Sequence, residues 1–583
     1  MGQPVERGAV PPTRWIVAEP VPSAIRAAAP ALSPVLAQIL YNRGLLQPGV
    51  SAETLTRFLS PRWEDGLHDP FLMADMQPAV ERILHAIEHQ EKIGVYGHYD
   101  ADGITAMVLL AQVLDYLGGH PLLYLPSRSD DYGVNATGIA ELASQGARLL
   151  ISVDCGIRSF TAPEVAARYG IDVVITDHHT VLCQEGREVL PPALAVLNPM
   201  RADCPYPYKG LAGVGVAFKL AQALLQARGR RTGNDGGNFA KWLLDLVCLG
   251  TVADVVDILD ENRTLVRLGL QVLQHARRPG LSALMEAAGT RRERLNVDAV
   301  AFQLAPRINA AARLGTPQTS LDLLLAAGTA TARPLAQQLN ALNQRRQRLT
   351  QEALAMVAQR YGDTLTEHKA IIAAGPWPAG ILGLIAGKLA ETYNRPVAVV
   401  ETGGAGELHG SARSRPGFHI AEALGQCADL LTQFGGHAQA AGFSLPASNL
   451  EAFGERLRAL ADAYIPEEAL APTLVIDALL EPEQVNAALL AEVQALEPCG
   501  QGNPAPVFAM YGARVCGAET FGATNNHLRL MLDSPGRPLR VTGWGMGALA
   551  KTLRPGNLVD LAFSLKEDAY VGLALDALDI AVS

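Results

Sequence analysis

The stretch Ile93-Gly-Val-Tyr-Gly-His98-Tyr-Asp100-Ala-Asp102-Gly103 joins a short apolar run to a turn with one histidine and two carboxylates. An apolar helical pattern, Ile104–Leu117, follows at once. The same grammar recurs twice. The run Leu149–Val153 ends at Asp154-Cys-Gly156, and Ile171–Thr176 ends at Asp177-His178-His179. Helical patterns lie between these runs, among them Thr161–Tyr169, whose opening Thr161-Ala-Pro-Glu164 reads as a capping box with proline in the first turn. Strands alternating with helices predict a parallel sheet covered by helices on both faces. Ligands of such sheets bind beyond the carboxyl ends of the strands, so three strands deliver acids and histidines to one edge. A fourth segment, Gly250-Thr-Val-Ala-Asp254, adds a carboxylate after an apolar helix.

A lone aspartate after a strand is more often a cap or turn residue than a ligand. Four such segments in order, each at the end of an element, form a joint pattern that caps do not explain. Carboxylates with imidazoles and no thiolates suit manganese or magnesium, and two ions better than one. Two ions can activate a water and hold a phosphate together. The histidines favour manganese, with magnesium as the alternative.

Working outward, 583 residues exceed one hydrophobic core, and 49% hydrophobic content is that of an ordinary globular protein. Pro-rich stretches and short amphipathic helices fill residues 1–90, with no signal-peptide pattern and no apolar run long enough to span a bilayer. A long polar helix is predicted from about Ala332 to Tyr361, with Leu335, Leu339, Leu342 and Leu349 as its buried stripe. A second α/β unit follows from Lys369 to about Ile465, and from Thr473 onward short strands and Gly, Pro and Asn turns predict a small β-barrel. The seven cysteines show no C-x-x-C pair and read as reduced core thiols of a cytoplasmic protein. A net charge of −10 argues mildly against a nucleic-acid partner, but a carboxylate cluster contributes to that total while a binding groove needs only local positive charge.

The segments His98-Tyr-Asp-Ala-Asp-Gly103, Val153-Asp-Cys-Gly156, Asp177-His-His179 and Val252-Ala-Asp254 together resemble the four motifs of the DHH phosphoesterase family. Ala305-Pro-Arg307-Ile-Asn309, Leu342-Asn-Gln-Arg345, Gly410-Ser411-Ala-Arg413, Phe434-Gly435-Gly436-His437 and Leu496-Glu-Pro-Cys-Gly500 extend the likeness to its RecJ branch, over roughly residues 75–583. The resemblance implies an N-terminal extension (1–74), a parallel-sheet DHH catalytic domain (75–325), a connecting helix (326–366), a second α/β DHH-associated domain (367–468) and a C-terminal OB-like β-barrel for nucleic acid (469–583).

It also implies metal ligation by Asp100, Asp102, Asp154, His178 and Asp254, with His98 a further ligand. His179 would stand beside the scissile phosphate with Asp177 supporting it, both counted as catalytic. Arg128, Arg307, Ser411, Arg413, Gly436 and His437 would contact substrate phosphates, as guanidinium forks and small residues suit. The implied activity is 5′-to-3′ exonuclease hydrolysis of single-stranded DNA to nucleoside 5′-monophosphates, in repair and recombination. A RecQ-type helicase and a single-strand-binding protein would be partners, and the chain would act as a monomer. Where RecJ-like chains usually carry aspartate this one has His98; Trp377-Pro378 replaces Trp-His, and Ala312 and Cys499 replace a glycine and an aromatic. Three other readings remain: a DHH phosphodiesterase for short oligonucleotides or cyclic dinucleotides, a manganese pyrophosphatase, and a non-catalytic DNA-binding scaffold. Among the barrel aromatics Phe508, Tyr511, Phe521, Trp544 and Phe563, most are expected in the core, with Trp544, between two glycines, the best base-stacking candidate.

Overall fold

A computed structural model describes residues 12–127, 133–232, 236–403, 406–568 and 572–582. The chain divides into two compact units, Ser51–Gln344 with Leu496–Pro504 in one, and Met1–Val50, Arg345–Ala495 and Ala505–Ser583 in the other.

The first unit is built on five parallel strands, β1 (Lys92–Tyr96), β2 (Pro121–Tyr124), β3 (Ala147–Val153), β4 (Asp172–Thr176) and β5 (Ala195–Leu197), in the order β2-β1-β3-β4-β5. The three strands that carry acids are therefore adjacent at the centre. The sequence reading found those three and missed the edge strands, which are short and lack a period-2 pattern. Helix α1 (Ala101–Tyr116) is buried along almost its whole length because it lies between the sheet and the helices α2 (Gly213–Thr232) and α3 (Leu244–Ala253). Its lack of a polar face follows from that position. The capping box expected at Thr161 does not form. Thr161 already has helical backbone angles and its side chain caps nothing, so the helix Ala162–Arg168 begins without a side-chain cap, with Pro163 in its first turn.

The short segment Leu496–Pro504 belongs to this unit, and Arg263 ties it in. Arg263 is buried, lies over the Phe58 ring at 4.0 Å, and donates to the carbonyls of Phe58 (2.7 Å), Glu497 (2.8 Å) and Pro498 (3.0 Å).

The long helix α4 spans Thr329–Tyr361, three residues longer at its start than the apolar stripe suggests. In the second unit, β6 (Ile371–Gly375), β7 (Val397–Glu401), β8 (Glu407–Arg413), β9 (Gln433–Gly436) and β10 (Ala440–Pro446) form a mixed sheet in the order β9-β10-β8-β7-β6, with only β6 and β7 parallel. Strands β11 (Phe508–Phe521), β12 (His527–Leu532), β13 (Leu539–Gly543), β14 (Leu558–Asp568) and β15 (Gly572–Val582) pair in the order β11-β12-β13-β15-β14, and β14 returns to β11 to close a five-stranded barrel. Strand Arg14–Val17 pairs in parallel with Thr473–Ile476 beside it, a long-range contact that the sequence pattern did not suggest. The cysteines are all free, but Cys183 and Cys516 are exposed, so the expectation of core thiols holds for only part of the set. No described helix is long and apolar enough to cross a membrane.

Replacing Arg263 by Met would leave three carbonyls without their cationic donor, at about 3 kcal/mol or more. Scanning calorimetry is expected to show a lower melting temperature for the Ser51–Gln344 unit, and an unchanged melting temperature would contradict the assigned role.

Candidate metal centre

The carboxyl ends of β1, β3 and β4 open onto one crevice. After β1 the chain turns through His98 to Asp100, the N-cap of α1, whose carboxylate accepts from the Gly103 amide at 3.0 Å. Asp102 lies in the first turn of α1, where the free amides of a helix start favour negative charge. Its two oxygens accept from the Gly213 and Val214 amides at the start of α2, at 2.7 and 2.9 Å. Asp154 follows β3 in the left-handed region, with φ of 59°, and its amide still extends the ladder to Thr176. Asp254 is the C-cap of α3.

The backbone leaves room for this cluster at two glycines. A Cβ on Gly213 would meet the Asp154 carboxylate at 2.5 Å, and one on Gly250 would meet the Thr105 hydroxyl at 2.4 Å and Asp102 Oδ1 at 2.8 Å.

The side chains converge as two trios without a shared member. His98, Asp100 and Asp154 form one, and Asp102, His178 and Asp254 the other, each with its ligand atoms within 4.8 Å of one another. His98 Nδ1 lies 3.0 Å from Asp100 and 3.6 Å from Asp154. His178 Nε2 lies 3.2 Å from Asp154, 3.6 Å from Asp254 and 4.0 Å from Asp102. His179 joins Asp154 and His178 in a third grouping.

Asp177 stands one step back. One of its oxygens accepts from the His178 and His179 amides and from His179 Nδ1 at 2.7 Å, and the other accepts from the Ile157 amide. Both oxygens are thus engaged, and Asp177 reaches the crevice only through His179.

Electrostatics show what the cluster lacks. Burial raises the pKa of Asp254 to about 7, with His178 pulling it down and Asp154 pushing it up. Asp102 is pushed well above the usual carboxylate range by burial, and further by Asp154 and Asp254. Burial works against a charged His178, but the surrounding carboxylates outweigh it and raise its pKa to about 10. Asp154 Oδ1 and His178 Nε2 are buried and make no well-formed hydrogen bond. Protons fill in for positive charge at a site whose donors, four carboxylates and two or three imidazoles, suit hard or borderline divalent cations. The residues fit two such ions.

The phosphate-contact residues expected from the sequence are distributed differently. Arg307 lies in the same unit as the crevice and donates to the Gln303 carbonyl (2.5 Å) and to Asn340 Oδ1 (3.0 Å). Ser411, Arg413, Gly436 and His437 all lie in the other unit. There Arg413 donates to the Ser411 hydroxyl at 3.0 Å, while Gly436 and His437 are exposed. Arg128 lies outside the described residues. The sequence reading missed the amides of Gly213 and Val214 that hold Asp102, and Asn309, whose Oδ1 accepts from the Ala101 amide at 2.8 Å. The glycine pair Gly213-Val-Gly215 opening a helix was the available signal for the first.

Comparison with known proteins agrees with this geometry. Residues 92–251 match the DHH family N-terminal domain, 367–463 the DHHA1 domain and 476–574 the RecJ OB domain. The single-stranded-DNA-specific exonuclease RecJ of Bacillus subtilis is 35% identical over 556 residues, covering 94% of this chain and 68% of the relative. The chain belongs to the RecJ family. The crystal structure of RecJ from Thermus thermophilus in complex with Mn2+ superposes with a TM-score of 0.81 at 31% identity, covering 98% of this chain and 79% of that one. Its complex with Mg2+ gives a TM-score of 0.76 at 30% identity, covering 97% and 78%. Manganese and magnesium are thus the ions found with RecJ relatives, and the RecJ-family crevice described above has the donor set for either.

In the metal-free chain Asp254 keeps its proton below about pH 7 and His178 keeps its own to about pH 10. A cation must displace both, so manganese affinity is expected to rise with pH, with more protons released per ion at pH 6 than at pH 8. Calorimetric titrations in buffers of different ionisation enthalpy would measure this, and equal proton release at both pH values would contradict it.

Proposed function

We propose that this chain is a metal-dependent exonuclease that digests single-stranded DNA from the 5′ end, releasing nucleoside 5′-monophosphates for repair and recombination. The observation that carries this reading is the pair of separate ligand trios at the carboxyl ends of three adjacent strands. The RecJ relatives are named single-stranded-DNA-specific exonucleases.

His98, Asp100 and Asp154 would hold one ion, and Asp102, His178 and Asp254 the other, with Asp154 near enough to His178 to face both. When bound, such ions lower the pKa of a water and neutralise the phosphoryl oxygens. The protein's own groups do the rest. Asp177 accepts the His179 Nδ1 proton, which leaves Nε2 for a phosphate oxygen or the departing hydroxyl. The Asp177 carboxylate also overcomes burial and raises the His179 pKa, favouring the charged, donating form. Arg307 meets no carboxylate among the described residues, and burial alone perturbs it, as suits a guanidinium kept for a phosphate. Arg128, Ser411, Arg413, Gly436 and His437 are proposed as further phosphate contacts, with a 5′-phosphate setting polarity.

The barrel supplies a surface for longer strands. Trp544 is 49% exposed and packs edge-on against Phe521 and His527, with Lys566 above its ring at 5.8 Å. Phe508 and Phe563 are core residues. An aromatic face with a nearby cation is the usual platform for unpaired bases. The same reading makes the chain a cytoplasmic monomer working with a RecQ-type helicase and a single-strand-binding protein. Its support is the free cysteines and the need of a single-strand enzyme for unwound DNA.

The test is digestion of 5′-labelled and 3′-labelled single-stranded oligonucleotides with manganese, beside a blunt duplex. Labelled mononucleotide should appear at once from the 5′-labelled strand only, the duplex should persist, and Asp154→Ala should lose roughly a thousandfold or more in rate. Turnover confined to dinucleotides would move the chain to the small-substrate branch of the DHH fold, and binding without turnover would make it a scaffold.

A further inference from the structure

Phe302 is the most exposed large apolar side chain among the described residues, at 74%. It sits in a continuous helical stretch capped by Asn296, α-helical over Val297–Ala299, a π-turn over Val300–Leu304, and α-helical again over Ala305–Leu314. The local sequence explains the π-turn. Pro306 has no N–H for the Phe302 carbonyl four residues earlier, and its ring would clash with that carbonyl in a regular helix. Widening one turn relieves the clash, and π-turns of this kind gather at functional sites.

The widening also changes what Phe302 faces. In an α-helix Phe302 and Arg307, five residues apart, would point roughly 140° away from each other. Widening a turn narrows that angle; the widened turn here, Val300–Leu304, carries Phe302, and Arg307 stands in the α-helical run that follows it. A direct contact fixes the proximity, because Arg307 Nη1 donates at 2.5 Å to the carbonyl of Gln303, the residue next to Phe302. The guanidinium therefore lies against the backbone turn that carries Phe302. Two residues beyond Arg307, Asn309 bonds the Ala101 amide between Asp100 and Asp102, which locks the stretch to the metal crevice.

Resting on the nuclease reading above, we infer that Phe302 is a specificity-determining residue on which an unpaired base stacks beside the phosphate held by Arg307. Isolated exposed apolar residues are common on protein surfaces and need no partner. Phe302 differs in being presented by a proline-induced π-turn, adjacent to a guanidinium that meets no carboxylate among the described residues, on a helix anchored to the reacting centre. A phenyl face accepts any base and requires that the base be free of its complement, so the contact favours single strands without reading sequence. Stacking of equal strength before and during the reaction moves KM and leaves kcat alone.

The experiment uses the full chain with manganese and a 5′-phosphorylated single-stranded oligonucleotide, in the natural form and with an abasic site moved stepwise from the 5′ end. Phe302→Ala should raise KM about tenfold with kcat within about twofold, and Phe302→Trp should return KM to within about threefold of the natural protein. One abasic position should raise KM about tenfold in the natural protein and leave the Phe302→Ala variant unmoved, since the lost partner is shared. A structural role alone would lower the melting temperature and manganese affinity of the variant, and would not be rescued by tryptophan. A KM for Phe302→Ala within about twofold of the natural value, or an abasic penalty that persists undiminished in the variant, would overturn the inference. If the natural protein does not cleave the oligonucleotide, the nuclease reading has failed. Fluorescence anisotropy then decides this inference separately, with equal affinity of the two proteins for the strand overturning it and a weaker Phe302→Ala upholding it.

Discussion

Mutual repulsion among Asp100, Asp102, Asp154 and Asp254 is the constraint around which the first unit is arranged. Buried carboxylates this close cannot all ionise without compensating positive charge. In the chain alone that charge comes from protons, with Asp254 titrating near neutrality and His178 charged over the whole physiological range. Fixed backbone dipoles supply the rest. The Gly103 amide holds Asp100, the Gly213 and Val214 amides hold Asp102, and the Ile157 amide holds Asp177 behind them. Three of these donors, Gly103, Gly213 and Val214, are first-turn amides that a helix start leaves unpaired.

Glycine at 213 and 250 is a consequence of the same crowding, since any side chain there would occupy the space of a carboxylate. So is the left-handed backbone at Asp154, a conformation aspartate tolerates better than most residues. The deep apolar packing of α1 holds its N-terminal turn in place, and with it Asp100 and Asp102.

Much of this was legible in the sequence because strand-end acids are local signals. Asp100, Asp102, Asp154, His178 and Asp254 each follow a recognisable apolar element, and all five meet in the crevice. The parallel sheet, the long helix and the barrel were readable from periodicity for the same reason. What the sequence hid is non-local. The glycine pair Gly213-Val-Gly215 signals a helix start with free amides, but not that one of them will meet Asp102, 111 positions earlier. The pairing of Arg14–Val17 with Thr473–Ile476 joins segments too distant for any pattern to connect. Thr161-Ala-Pro-Glu164 shows the opposite failure, a correct local motif overridden because the backbone at Thr161 is already helical. Pro306 lies between these cases. The sequence shows the proline, but only the structure shows that it stands in a helical stretch and that the chain answers with a π-turn that leaves Phe302 exposed.

The account stands on two cations sharing one crevice. X-ray diffraction from crystals grown with manganese, collected on both sides of the manganese absorption edge, tests this most directly. Two anomalous peaks roughly 3.5–4 Å apart are expected, one among His98, Asp100 and Asp154 and the other among Asp102, His178 and Asp254. A single peak, or peaks away from these residues, would contradict it.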